Sequence, residues 1–312
     1  MSPTRRARVR ALAKINLDLR VLGKRADGFH ELRTVFQTIS LADTLEIAYT
    51  PGRKTAITLV DDLQIADNLV VRAARMAMEE MRATGCIEMR LTKRIPIGAG
   101  LGGGSSDAAA VLLALPVLAG RAMDLPKLRA IGERLGSDVP FFLLGGTAVG
   151  IGRGSELFPL PDGRAQRGIV VAPGIHVNTA QAYRDLSPRL TTELQQNKIV
   201  SFQSVTWDTS SLVGARNDFE SVVFEQHGKL ATLKKRLVRA GATVALMTGS
   251  GSALFGLFAD GNGIFRATEL MGKVETFPIS LVGRARYRAL WRRALKEHTT
   301  PGLWPLQSRY SG

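Results

Sequence analysis

The fold of this chain is decided by the stretch Pro96-Ile97-Gly98-Ala99-Gly100-Leu101-Gly102-Gly103-Gly104-Ser105-Ser106, which runs directly into the apolar segment 108–115. Five glycines fall within seven residues of this stretch, so few side chains shield its backbone N–H groups. The two serines are predicted to cap a helix, whose N-terminus carries a partial positive charge. Free amides beside a helix N-terminus form an anion site. The stretch therefore predicts a phosphate-binding loop, with a flexible turn before a buried helix as the alternative.

The spacing of this loop fits neither of the two most familiar nucleotide-binding loops. Gly98, Gly100 and Gly103 satisfy G-x-G-x-x-G, but Asp124, the acidic residue at about the right distance, is predicted to begin a helix rather than end a strand. A P-loop ends in Gly-Lys-Ser/Thr, whereas Gly104 is followed by two serines. Protein-kinase signatures such as His-Arg-Asp do not occur in the sequence. The loop therefore predicts phosphate binding on a different scaffold.

The composition excludes several classes of protein. The 312 residues suggest two domains of about 150 residues each. The longest apolar run, 108–119, has 12 residues, whereas a membrane span needs about 18, so we expect no membrane partner. Cys86 is the only cysteine, which excludes an intrachain disulfide and a cysteine metal cluster. The arginines near the N-terminus are not followed by an apolar segment, so we expect no signal peptide and a cytoplasmic protein.

The charge of the chain has two interpretations. The 42 Lys and Arg residues against 27 Asp and Glu residues give a net charge of +15, which suits either nucleic acid or a polyphosphate ligand. Much of the excess lies in segment 284–297, which has six basic residues and one glutamate. The sequence has no zinc-finger spacing, RNA-recognition aromatic signature or basic region followed by heptads. We therefore interpret the end of the chain as a solvated basic tail and expect no nucleic-acid partner.

Apolar periodicity predicts interleaved strands and helices in the first half of the chain, and this pattern changes near 155–168. A domain boundary is predicted there. The predicted strands are 9–21, 45–49, 56–60, 87–91, 169–172, 244–247 and 254–258. The predicted helices are one between an N-cap at Asp67 and a stop at Gly85, then 105–115, 126–135, 219–227 and 229–240.

Three segments together resemble the GHMP kinase superfamily: Lys14-Ile-Asn-Leu17, the stretch 96–106, and Thr248-Gly-Ser-Gly-Ser-Ala253. Segments 11–17, 24–30, 135–141 and 217–220 narrow the resemblance to the branch whose acceptor carries a cytidine diphosphate. The resemblance covers about residues 9–285. Phe29 stands where that branch usually has tyrosine, and the tail after about Arg286 has no recognised counterpart.

The resemblance implies an α+β, two-domain GHMP kinase fold with the site in the cleft between the domains. The N-terminal ATP-binding domain, residues 1–160, is expected to be mixed α/β and ribosomal S5 domain 2-like. The C-terminal domain, residues 161–288, is expected to be ferredoxin-like, and residues 289–312 form the basic tail. The chain is expected to be a monomer or a homodimer.

The implied activity is transfer of the γ-phosphoryl group of ATP to a hydroxyl of a cytidine-diphosphate-linked polyol, in the non-mevalonate route to isoprenoid precursors. Such a transfer needs cations, positioning and a carboxylate to take the hydroxyl's proton. The resemblance assigns Lys14 and Asp138 as this catalytic pair and 96–106 as the ATP loop. From the residues alone, Lys14 would be a solvated strand lysine and Asp138 an ordinary turn aspartate.

The resemblance also assigns four residues to the acceptor: Asn16, Phe29, His30 and Tyr183. Phe29 and Tyr183 would stack the cytosine while His30 bonds its edge; the alternative is that they are core aromatics and a surface histidine. No pair of histidines has metal-ligand spacing, so the metal expected is Mg²⁺ carried by ATP, with no tightly bound cofactor. Asp107 is interpreted as a helix-start charge or a water-mediated magnesium contact, and the turn 248–252 as a tight hairpin or a substrate-phosphate site.

Two other functions remain open at this point. Another GHMP small-molecule kinase, of the homoserine or mevalonate type, would share the loop but need no pocket for a base. A nucleic-acid-binding protein without catalysis would bind DNA in a salt-dependent way and would not turn over ATP.

Overall fold

The computed structural model of the chain describes residues 3–61, 67–163, 165–190, 202, 212, 214–302 and 304–310, and these residues form two β-sheets with their helices. The strands of the first sheet are β1 (Arg5–Lys24), β2 (His30–Pro51), β3 (Ala56–Asp61), β4 (Gly85–Thr92), β5 (Thr147–Gly152) and β6 (Glu156–Pro159). Their order is β3-β4-β2-β5-β6, with β1 paired to β2.

The long strand β2 organises this sheet. Antiparallel β1 follows it along nearly its whole length, while its first half pairs with β5 and its second half with β4. The register of β1 shifts between Leu12 and Lys14 and again between Asn16 and Asp18. Such irregularities re-aim side chains. They enclose Lys14 and Asn16, which lie two residues apart and so share one face of the strand.

Among the residues that the structure describes, the first domain has four helices: α1 (Leu69–Glu80), α2 (Gly103–Ala119), α3 (Leu125–Leu135) and α4 (Val139–Leu144). Helix α2 is apolar on all sides and is buried from Ser106 to Leu118, so it forms the centre of this domain. The predicted cap of α1 was wrong by one residue. Asn68 rather than Asp67 caps the helix, and its side chain accepts from the Val70 N–H.

The second domain contains an antiparallel sheet of the strands β7 (Arg167–Ala172), β8 (Val244–Met247), β9 (Leu254–Phe258) and β10 (Glu275–Ser280). Their order in the sheet is β10-β7-β9-β8. Strands β7 and β8 are connected along the chain by helices but have β9 between them in the sheet, which is the split βαβ arrangement predicted as ferredoxin-like. The helices are α5 (Thr179–Leu186), followed by a 3₁₀ turn (Ser187–Arg189), then α6 (Glu220–Gln226), α7 (Gly228–Arg239) and α8 (Gly261–Met271).

The basic end of the chain is not a solvated tail, and that prediction was wrong. Helix α9 (Arg284–Ala294) contacts β1, and the turns after it continue over the first domain. Trp291 is 3% exposed, Leu295 is fully buried and Leu306 is 9% exposed, all within the core of that domain. Arg286, Arg292 and Arg293 of α9 stay at the surface, Arg284 and Arg288 are half-buried, and one apolar face packs inward. The charge of the segment therefore concealed its apolar side.

The predicted strands all occur, and the α+β class is confirmed. The first sheet ends at Pro159 and the second begins at Arg167, while the division at 160, 161 and 288 stays a proposal. Within the described part of the chain, no helix combines the length and the apolar character needed to cross a membrane.

Candidate active site

A cleft of about 1000 Å³ lies where strand β1, the glycine-rich loop, the segment before α4 and helix α5 meet. It brings together the six side chains predicted for catalysis and acceptor binding: Lys14, Asn16, Phe29, His30, Asp138 and Tyr183. Four residues of the predicted ATP loop also line it: Gly98, Gly100, Gly102 and Ser105. Ala99 and Leu101 point the other way and are buried in the protein. The residues of the loop that face the cleft are therefore mainly its glycines.

Helix α2 begins at Gly103, earlier than predicted, and its serines are not caps. The N-cap is Gly102, with a φ of 71° and no side-chain capping bond. Ser106 is buried in the first turn and donates to the Leu12 carbonyl at 2.7 Å. Without a side-chain cap, the N–H groups of the first turn stay available to an anion.

The second glycine-rich turn, 248–252, lies directly against the first loop. Ala253 N donates to Ala99 O at 3.1 Å, and Thr248 Oγ1 lies 3.1 Å from Gly100 O. A Cβ atom on Gly100 would lie 2.1 Å from Thr248 O, and the φ of Gly100 is +80°. Only glycine allows this approach. Gly249, Ser250 and Gly251 thereby reach the cleft.

The predicted catalytic pair is in contact. Lys14 Nζ lies 3.5 Å from Asp138 Oδ2, with the lysine side chain 4% exposed and the aspartate side chain 34% exposed. The backbone N–H of Lys14 donates to Leu101 O at 3.0 Å, which joins β1 to the glycine-rich loop. Asp138 is the N-cap residue of α4, a helix that sequence periodicity did not predict. The ammonium is thus buried and the carboxylate open to the cleft.

Asn16 joins this pair to the second domain. Its Oδ1 accepts from Lys14 Nζ at 2.7 Å and from Gly249 N at 2.9 Å, while its Nδ2 donates to Thr34 Oγ1 at 2.8 Å. Its backbone N–H donates to Thr248 Oγ1 at 3.1 Å. Every polar side-chain atom of Asn16 therefore has a protein partner. The sequence suggested only a substrate contact, since the second-domain partners lie more than 230 residues away.

A buried cluster of charges lies behind the loop, and sequence reasoning missed it. Lys93 Nζ donates to Asp43 Oδ2 at 2.5 Å and to Asp107 Oδ2 at 2.6 Å. Burial raises the pKa of Asp107 to about 7; the positive charge of Lys93 opposes that shift and the negative charge of Asp43 adds to it. Asp107 is 2% exposed, so neither a simple helix-start charge nor a magnesium contact describes it.

The aromatic residues of the cleft are not arranged as the predicted sandwich. The ring of His30 stacks on Tyr183, with ring centroids 4.5 Å apart, and Phe219 meets the Tyr183 ring edge-on at 4.8 Å. Phe29 is 51% exposed and carries the Arg153 guanidinium 3.6 Å from its ring centroid. In this structure His30 thus occupies a face of Tyr183 that was assigned to the base. Arg153 is a cleft residue that the sequence did not single out.

The hydrogen bonds of His30 fix its tautomer. Ser187 Oγ donates its single proton to Tyr183 O at 2.8 Å, so it accepts from His30 Nε2, also at 2.8 Å. Nδ1 is then an acceptor. Burial, together with the charge of Lys24, lowers the pKa of His30 below its usual 6.5. His30 is therefore a neutral ring with one acceptor nitrogen.

The described residues contain no cluster of three or more His, Cys, Asp or Glu side chains placed to hold a metal ion. The cleft-lining side chains that carry oxygen atoms include Asp138 and Ser105. A Cβ atom on Gly136 would lie 3.9 Å from Ser105 Oγ, so this hydroxyl is close to the segment that carries Asp138.

Comparison with known proteins identifies both domains. The family profile "GHMP kinases N terminal domain" matches residues 68–146, and "GHMP kinases C terminal" matches residues 209–269. The chain is 78% identical to a 4-diphosphocytidyl-2-C-methyl-D-erythritol kinase of Solibacter usitatus, over the full length of both proteins. It is 39% identical to the kinase of the same name from Geobacter sulfurreducens, covering 84% of this chain and 94% of that protein.

A solved structure agrees with this relationship. The crystal structure of a 4-(cytidine 5'-diphospho)-2C-methyl-D-erythritol kinase superposes with a TM-score of 0.76 at 36% identity. The superposition covers 88% of this chain and 99% of that one.

The charge cluster gives a prediction about pH. We expect the stability of Asp107→Asn, measured relative to the native chain, to increase as the pH rises from 3.8 to about 7 and then to level off. Burial raises the pKa of Asp107 in the folded chain from 3.8 to about 7, so between these values the unfolded native chain has lost a proton that the folded chain still holds, and folding becomes less favourable as the pH rises. Asparagine has no such proton.

Melting temperatures of both proteins, measured at half-unit steps of pH, test this expectation. Asp124→Asn, at the exposed cap of α3, is the control for removal of one carboxylate. A difference between Asp107→Asn and the native chain that is constant from pH 5.5 to 8 would contradict the prediction.

Proposed function

Because this chain belongs to the GHMP kinases and, within them, to the 4-diphosphocytidyl-2-C-methyl-D-erythritol kinases, we propose that it phosphorylates a hydroxyl of that diphosphocytidyl compound with ATP. The reaction is a step of isoprenoid precursor biosynthesis, in the non-mevalonate route. The observation that supports it most directly is the contact between Lys14 and Asp138 at the foot of the cleft.

Lys14 and Asp138 are proposed as the catalytic pair. Asp138, with its carboxylate open to the cleft, takes the proton of the attacking hydroxyl, which must come within about 3 Å of it. The buried ammonium of Lys14 stabilises the negative charge that develops on the same oxygen. Since the transition state of phosphoryl transfer is loose, most of the rate enhancement comes from charge and position rather than from the base.

The phosphates of ATP are proposed to lie on the glycines of the loop 96–106 and on the N-terminus of α2. No side chain caps that helix end, and its dipole favours negative charge there. We propose that Mg²⁺ enters with ATP, because Mg²⁺ prefers oxygen ligands and keeps phosphates among them. Ser105 and Asp138 are the residues that would hold it, and the ion would neutralise charge on the phosphates.

Phe29, His30 and Tyr183 are proposed as the cytosine site. A base that stacks on Tyr183 must replace the His30 ring, which now lies 4.5 Å from it. The displaced His30 then offers whichever ring nitrogen is the acceptor to the edge of the base, where the cytosine amino group is a donor. Phe29 provides the opposite ring face, and the missing tyrosine hydroxyl leaves that face intact. Asn16 is proposed to position Lys14 in addition to touching the acceptor.

Three further features are proposals as well. The chain acts in the cytoplasm, where its ATP is supplied, as a monomer or a homodimer. The ATP-binding domain spans 1–160 and the second domain 161–288.

The rival functions are separated by measuring ADP release with three acceptors: the diphosphocytidyl compound, homoserine and mevalonate. We expect turnover with the first alone, and preferred turnover of either other acceptor would overturn the proposed function.

We predict that Asp138→Ala and Lys14→Ala each lower kcat by about 10²–10⁴-fold, because each removes a group that acts on the reacting hydroxyl. The measurement is single-turnover phosphoryl transfer, in which chemistry limits the rate. Arg72→Ala, at a surface ion pair on α1, is the control for loss of a charged side chain. Near-native rates for Asp138→Ala would exclude it as the base.

We predict that Gly98→Ala raises the KM for ATP by about tenfold, equivalent to about 1.4 kcal/mol of binding. A Cβ atom there meets only His176, at 3.9 Å, so the methyl group enters the space assigned to phosphate. The φ of +66° adds a folding cost of about 1–2 kcal/mol, visible in the melting temperature.

The matched control is Gly104→Ala in the same loop, whose Cβ would meet Leu69 at 3.7 Å, away from the cleft. It should leave the KM for ATP unchanged. An unchanged KM in Gly98→Ala as well would show that the loop does not hold the phosphates.

We predict that Tyr183→Ala raises the KM for the diphosphocytidyl substrate by about tenfold, since stacking of a base on an aromatic ring is worth about 1–3 kcal/mol. The KM for ATP should hardly change. Tyr183→Phe keeps the ring and is the control, with a nearly native KM expected for both substrates. An equal rise of the KM for both substrates in Tyr183→Ala would indicate general damage to the cleft instead.

A further inference from the structure

The last part of the chain, residues 284–310, is here named the C-terminal extension. It consists of α9 and the turns after it, and it covers the short helix α4. The matched family profiles end at residue 269, and the Geobacter relative matches 84% of the chain. Nothing in the proposed reaction uses this extension, although it supplies two hydrogen bonds to the helix that begins at the catalytic aspartate.

Both hydrogen bonds end on the last turn of α4. Tyr287 Oη donates to Phe142 O, and Trp304 Nε1 donates to Leu143 O at 2.8 Å. Carbonyl groups of the last turn of a helix have no partner within the helix. Tyr287 is 2% exposed, so its hydroxyl has been buried to reach this carbonyl. The extension therefore supplies hydrogen-bond partners for the backbone groups that it covers.

The chain after α4 is shaped to admit the extension. Gly145 has a φ of +65°, and a Cβ atom there would lie 2.3 Å from the Tyr287 ring. A Cβ atom on Gly146 would lie 2.7 Å from the backbone of Arg284. Only glycines at these two positions allow the ring and backbone of α9 to approach the end of α4 so closely.

Helix α4 connects these contacts to the cleft. It has only six residues, too few to be stable without tertiary packing, and its N-cap is Asp138. The ring of Phe142 lies against the glycine-rich loop, since a Cβ atom on Gly102 would be 2.9 Å from its Cζ. Movement of the far end of α4 would therefore move both the carboxylate and the wall of the loop.

We propose that Tyr287 and Trp304 are positioning residues for the phosphoryl transfer: their hydrogen bonds to α4 hold Asp138 at its distance from Lys14. The inference rests on the proposed role of Asp138 in the reaction. A displacement of about 1 Å in such a group can cost about 100-fold in rate.

The test uses the full-length protein with Tyr287→Phe and Trp304→Phe, which remove the donors and keep aromatic rings in place. We expect kcat to fall by about tenfold in each, with both KM values within about twofold of native, because only transition-state alignment is lost. The matched control is Tyr310→Phe. It removes a hydroxyl of the same extension whose partner, His298 Nδ1 at 3.0 Å, lies within the extension rather than in α4.

A double-mutant cycle separates positioning from stability. In an Asp138→Ala background, measured with radiolabelled ATP, Tyr287→Phe should cause a much smaller further loss of rate, because the carboxylate that it positions is gone and only the wall of the loop still moves. Circular dichroism and melting temperatures show whether each variant is folded at the assay temperature.

Three outcomes would overturn the inference: native kcat in both Tyr287→Phe and Trp304→Phe, an equal loss in Tyr310→Phe, or the same further loss in the Asp138→Ala background. Failure of the proposed function looks different. In that case the native protein does not phosphorylate the diphosphocytidyl acceptor, or Asp138→Ala keeps its rate.

Discussion

A lysine ammonium buried where the two domains meet is the constraint on which the rest of this structure depends. Lys14 is 3% exposed, and a buried charge is tolerated only with partners. Those partners come from separate parts of the chain: the carboxylate of Asp138 ahead of α4 and the amide oxygen of Asn16 in β1. The register shifts on either side of the two β1 residues place both side chains on the cleft side of the strand.

The same ammonium explains why the two glycine-rich segments must touch. The side-chain oxygen of Asn16 accepts hydrogen bonds from both Lys14 and Gly249, so the position of the second domain is tied to that of the lysine. The turn 248–252 can reach it only because Gly100 has no side chain at the point of closest approach. The glycine-rich loop, the turn 248–252 and the Lys14–Asn16 segment of β1 are therefore held by one continuous set of hydrogen bonds that crosses both domains.

Local sequence patterns made part of the fold and of the candidate site predictable. The glycines of 96–106 predict an anion site, and all seven strands predicted from the apolar pattern occur in the structure. Both signals depend only on neighbouring residues. Long-range partners were not predictable in this way. Lys93 meets Asp43 across 50 residues and Asp107 across 14, and no pattern in the sequence joins them. The predicted caps failed at Ser105 and Ser106, since a left-handed Gly102 begins the helix instead.

The two largest differences have specific causes. Helix α4 is a six-residue apolar segment, too short for helical periodicity to be recognised. The extension did carry a signal that its basic composition obscured: Tyr287, Trp291 and Leu295 are spaced by four residues and are all buried. Phe29, His30 and Tyr183 were singled out by family resemblance, but the stacking of His30 on Tyr183 depends on how α5 and β2 come together, which no local pattern encodes.

The most direct test of the central claim is a crystal structure of the ternary complex with a non-hydrolysable ATP analogue and 4-diphosphocytidyl-2-C-methyl-D-erythritol. We predict that one acceptor hydroxyl lies within about 3 Å of the Asp138 carboxylate, beside Lys14, and faces the γ-phosphate on the glycine-rich loop. An acceptor bound with all of its hydroxyls away from this pair, or nucleotide phosphates bound outside the loop, would contradict that claim.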